Sequence, residues 1–150
     1  MVLVTQVTMK KALYLLSIVP FLTGCIGGQI QTQFATINKV DCLNPSLELY
    51  IFTDGEIVDF EYASIGILEI QGGEYSSLEE VFGELKKEAK RNCANAVINV
   101  KQSTTLRETE VLFDDPDEGD LYTASVLTGL AVSVEIDDEF RTRHASRQSN

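Results

Sequence analysis

The 150-residue chain carries 12 Lys and Arg against 23 Asp and Glu, with one His and three Cys, for a formal net charge of −11. A surface this acidic repels the phosphates of nucleic acid and of anionic lipid, which excludes partners held mainly by basic patches. The length suits one domain with a modest core.

In chain order, Met9-Lys10-Lys11 comes first, then an apolar run from Ala12 to Leu22, then Leu22-Thr23-Gly24-Cys25. The lysines form the positive flank of an export signal and the apolar run partitions into the bilayer. That run is well short of the ~20 residues of a permanent span, and Pro20 interrupts it. Residues 1–24 therefore read as a signal peptide, with 1–8 upstream of the expected start at Met9. Leu-Thr-Gly-Cys resembles the lipobox of bacterial lipoproteins, whose cysteine thiol receives diacylglycerol before cleavage. The resemblance implies a mature chain beginning at Cys25 and attached to a membrane by lipid. The alternative is a general signal, or a buried N-terminal helix that happens to hold a cysteine.

Removing Lys10 and Lys11 with the signal leaves 10 basic against 23 acidic residues, a net −13. Acyl chains, at ~0.8 kcal/mol per buried methylene, would then supply the attachment. Ile26 rather than aspartate follows the cysteine, which by resemblance to lipoprotein sorting rules implies the outer membrane, facing the periplasm. With Cys25 acylated, Cys42 and Cys93 remain as an even pair in an oxidising compartment. Two readings stay open: a disulfide closing a loop of roughly fifty residues, giving ~3–4 kcal/mol, or two separate buried thiols.

Residues 25–39 read as the lipidated cysteine and a short polar tether, 40–136 as the domain, and 137–150 as a charged, serine-rich disordered tail. Alternation over Leu47, Leu49 and Ile51 predicts a strand, followed by a turn at Thr53-Asp54-Gly55-Glu56. A second strand covers Tyr62 to Ile70 and stops at Gly72-Gly73. Ser77 and Glu80 form a capping box before Leu78, Val81, Phe82, Leu85 and Ala89, so a helix is expected over 77–92. Ala96 to Val100, Leu106 to Phe113 and Tyr122 to Ile136 read as three more strands, the last two as a hairpin. The expected fold class is α+β, a small mixed or antiparallel sheet of four to five strands with one main helix packed on one face.

Chemistry-bearing residues are few. His144 falls in the expected tail, away from any triad or zinc set, and no spacing singles out a carboxylate pair. The reading is therefore of a non-enzymatic domain without a cofactor. Asp114, Asp115, Asp117 and Asp120 are weak metal candidates, because the run lacks the alternation and terminal glutamate of an EF-hand and contains the turn formers Pro116 and Gly119. Tyr50 and Phe52 share the face opposite Leu49 and Ile51. They are either a partner contact or, in a sheet covered on both sides, core.

Leu49-Tyr50-Ile51-Phe52-Thr53, Tyr62-Ala63-Ser64-Ile65-Gly66, Leu85 to Ala89, Ala94-Asn95-Ala96-Val97-Ile98 and Thr128-Gly129-Leu130-Ala131-Val132 follow one another in an order that resembles the periplasmic domain of the RcsF family of stress-sensor lipoproteins. The Tyr-x-x-Ile-Gly and Ala-Asn-Ala-Val segments also resemble YbjQ-type domains, which carry a heavy-metal-binding label. The likeness covers about Leu47 to Val134. It implies an envelope protein as partner, in stress sensing or assembly, or alternatively a small-ligand or metal-binding homo-oligomer of YbjQ type. The later strands here lack the sensor's cysteines, and its long basic, proline-rich tether is missing. Asn92 or Asn95 is expected to take the left-handed conformation that ends the helix.

Overall fold

The computed structural model describes residues 29–40, 48–109 and 121–145. The signal segment, Cys25, Cys42 and the acidic run from Asp114 to Asp120 lie outside them. The elements are β1 (Gln31–Thr36), β2 (Tyr50–Thr53), β3 (Ala63–Gln71), α1 (Leu78–Arg91), β4 (Ala96–Glu108), β5 (Leu121–Ser133) and α2 (Asp138–His144). The strands form one mixed sheet in the order β1-β3-β5-β4-β2, in which only β2 and β4 run parallel. This is the expected α+β architecture, with α1 as the main helix on one face.

Helix α1 starts where the capping box places it. The Glu80 N–H donates to Ser77 Oγ at 3.2 Å, and the Ser77 N–H donates to Glu80 Oε2 at 2.7 Å. Two of the helix's orphan donors are thereby satisfied. Val81, Leu85 and Ala89 form its buried face and pack on Ile65, Leu68, Ile70, Val97, Val100, Leu127 and Ala131. At the other end Asn92 is the cap with φ −93, and the left-handed residue is Cys93 at φ 66. Asn95 is not left-handed either. Its side chain does something else, pairing with the far end of β5.

Two expected strands, Ala96 to Val100 and Leu106 to Phe113, are joined as far as Glu108 in the single strand β4. The register of β4 on β5 shifts between Ile98 and Lys101, where Asn99 takes φ 54. A bulge with an asparagine in the left-handed region resets which face each side chain meets. Val97 and Val100 therefore both point at α1 although they are three residues apart. A similar shift between Ser64 and Gly66 lets Ile65 and Leu68 share that face.

Both chain ends depart from expectation. The polar stretch assigned to the tether contains β1, which pairs antiparallel with β3 from Gln31↔Gln71 to Thr36↔Gly66. Only Phe34 of its apolar residues packs on the core, which is why the segment looks featureless in sequence. In the stretch assigned to the disordered tail, residues 138–144 form α2. Its N-cap Asp137 accepts from the Phe140 N–H at 2.7 Å, and Phe140 is 2 % exposed. This short helix covers the second face of the sheet, where Tyr50, Phe52, Ala96, Ile98, Val132, Val134 and Phe140 form a second core. Tyr50 and Phe52 are thus core residues of a sheet covered on both sides, and the partner-contact reading falls away.

Candidate functional site

Of the cysteines and the acidic metal candidates singled out in the sequence, Cys93 is the one that falls among the described residues. It sits between the end of α1 and the start of β4 and is disulfide-bonded. This removes the reading in which Cys93 is a separate thiol. The other cysteines, Cys25 and Cys42, lie outside the described residues, as do Asp114, Asp115, Asp117 and Asp120. Among the described residues no group of three or more His, Cys, Asp or Glu side chains comes together as a metal would need.

The sheet has two distinct ends. At one, Cys93 and Asn95 lie beside the entry to β2 and the exit of β5. The Tyr50 N–H donates to the Asn95 carbonyl at 3.0 Å. Asn95 Nδ2 donates to the Val134 carbonyl at 2.7 Å, and the Val134 N–H donates to Asn95 Oδ1 at 2.8 Å. The exit of β1 is at this end too, since Asn38 Nδ2 donates to the Ser64 carbonyl at 2.8 Å. At the opposite end Arg107 Nη1 donates to the Gly72 carbonyl at 2.9 Å and to the Gln29 carbonyl at 3.3 Å. Its guanidinium lies 5.8 Å from the centre of the Tyr122 ring. One side chain of β4 thus ties down the chain just before β1.

The second core is an aromatic cluster. Phe140 meets Tyr50 edge-on with ring centres 4.9 Å apart, Phe60 at 5.1 Å and His144 at 4.6 Å. Burial chiefly, with the nearby Glu48 carboxylate second, raises the Tyr50 hydroxyl above its ordinary pKa. His144, expected in a loose tail, is buried among Phe52, Phe60 and Phe140, with Nε2 3.7 Å from Asp59 Oδ1. Arg143 donates to the other oxygen of Asp59 at 3.1 Å. Arg141 reaches Glu48 at 3.3 Å, which raises the guanidinium's pKa further. The ion pairs of α2 are exposed and add little; the aromatic packing holds it.

Among the described residues, two concavities flank α1. A shallow groove of about 500 Å³ is lined by Gly83, Lys86, Lys87, Lys90 and Arg91. Its cations are engaged: Lys87 with Glu84 at 2.8 Å, Arg91 with Glu88 at 3.2 Å, and Lys86 and Lys90 with partners of their own. A second groove of about 380 Å³ lies between Asp54 and Phe82, beside Val100, Lys101 and Leu127.

Arg107 was not singled out in the sequence, and Asn95 and His144 were given other roles there, because what each does depends on residues 35 to 92 positions away. The signal available for His144 was the pattern Asp137, Phe140, His144: an N-cap followed by two residues on one helical face. Searches against protein-family models, curated proteins and solved structures find no match to this chain.

Proposed function

We propose that the chain is an envelope lipoprotein, lipidated on Cys25, whose α+β domain is a non-enzymatic module that binds a protein partner in stress sensing or envelope assembly. The observation that carries the reading is the ordered run of Met9-Lys10-Lys11, the apolar segment Ala12 to Leu22 and Leu22-Thr23-Gly24-Cys25. In this reading Cys93 pairs with Cys42. The undescribed stretch that contains Cys42 is flanked by Val40 and Glu48, and both flanks adjoin the Cys93 end of the sheet.

The partner-binding part is supported by the sheet's edge. Strand β2 pairs with β4 only from Ala96 to Val100, and among the described residues nothing pairs with the outer edge of β4 from Lys101 to Glu108. Those backbone groups are a template for an added strand. The test has two parts. Radiolabelled palmitate should enter the wild-type chain and not the Cys25→Ala variant. Crosslinking in the native envelope from Gln102 and Thr104 should recover one dominant protein. An unlabelled wild-type chain overturns the lipoprotein reading, and an oligomer with stoichiometric metal overturns the partner-binding one.

A further inference from the structure

Four segments meet at the Arg107 end of the sheet: the start of β1, the end of β3 with the turn into α1, the end of β4 and the start of β5. That end carries apolar side chains in water. Tyr75 is 83 % exposed, Leu106 67 %, Leu121 63 % and Leu78 37 %. Leu106 stands opposite Thr123 and Leu121 opposite Glu108, so the two leucines are diagonal neighbours on the face that holds α1. A single exposed leucine needs no explanation, whereas a group at one end of a small domain does.

The chain leaving this end names the occupant. Gln29 is tied to Arg107, and four residue steps separate it from Cys25, a reach of at most ~14 Å. We propose that this end of the domain rests on the lipid surface, with Tyr75, Leu106 and Leu121 entering the headgroup region of a zwitterionic leaflet. The proposal rests on acylation of Cys25. Apolar side chains at such a boundary sit ~5–10 Å deep, and the tyrosine ring, apolar with a polar tip, suits the same layer. Glu74 and Glu108 beside the patch disfavour an anionic leaflet. The strands then stand upright on the membrane.

The test uses the full chain expressed in a bacterial host, purified from membranes and returned to phosphatidylcholine vesicles. A photoreactive benzophenone amino acid replaces Leu106, Leu121 or Ile37 one at a time, Ile37 being exposed at the opposite end. The mass of the N-terminal peptide reads acylation in the same samples. Lipid adducts should be about tenfold more abundant from Leu106 and Leu121 than from Ile37, as insertion to that depth requires, and should fall when phosphatidylglycerol is added. Acylated protein with equal lipid adducts at the three positions, or with adducts to a second copy of the chain instead of lipid, overturns the proposal and leaves the lipoprotein reading intact. An unmodified N-terminal peptide overturns both.

Discussion

Gly66 and Gly129 lie where a side chain would strike its neighbours. A Cβ on Gly66 would stand 2.3 Å from Phe34 Cζ and 2.7 Å from the Ala35 carbonyl oxygen, and one on Gly129 would stand 2.7 Å from Val97 Cγ1. The Phe34 ring can swing, but the Ala35 backbone is held in the β1–β3 ladder. Gly66→Ala should therefore loosen β1, and overpacking of this kind lowers stability by about 1–3 kcal/mol. Urea unfolding measures it; an unchanged midpoint would show that β1 yields freely. Asn95 is the second residue whose identity is fixed, since its amide makes both a donor and an acceptor bond to the Val134 backbone. The packing supplies a local physical reason for both glycines and for Asn95.

At the scale of elements, α1 was legible from Ser77 to Arg91 because its cap, its apolar face and its charges agree. Its cap also makes the helix acid-sensitive. The Ser77 backbone N–H, and secondarily its hydroxyl, bonds the Glu80 carboxylate and lowers its pKa below the ordinary 4.5. A depressed carboxylate stabilises the fold at pH above the ordinary value and loses that contribution as pH falls through 4.5 and on through the folded value. Glu80→Gln should accordingly flatten the acid side of the stability profile below about pH 5 while leaving its slope near neutrality alone; thermal melts across pH 3–7 with the same acid slope in both proteins would show that the bond is absent. Strand β1 and helix α2 were illegible for a different reason. Each is short and mostly polar, and each is specified by one or two side chains that meet a distant surface: Phe34 in β1, Phe140 and His144 in α2. Phe140→Ala should lower stability by about 3–5 kcal/mol, and deleting residues 137–150 should do at least as much. A deletion variant with wild-type urea midpoint would restore the disordered-tail reading.

At the scale of the whole molecule, the two ends of the sheet differ. The domain has its chain entry and its exposed leucines at one end and the Cys93 disulfide at the other. Between the two ends run five residue steps of β1, roughly 17 Å of strand, and three strand spacings of ~4.8 Å separate β1 from β4. A disulfide needs its Cα atoms within about 7 Å. Cys25, limited to ~14 Å from Gln29, falls short of Cys93, whereas Cys42 follows two residues after Val40 at the correct end. The Cys42–Cys93 bond would close the loop of roughly fifty residues that holds β2, β3 and α1, and reducing it should lower stability by about 3–4 kcal/mol. Peptide mapping without reductant should yield a 42–93 linked pair, and Cys42→Ser should shift the urea midpoint as far as dithiothreitol does. A linked 25–93 peptide would instead place the chain's start at the wrong end of the sheet, removing both the free thiol that lipidation requires and the membrane orientation built on it.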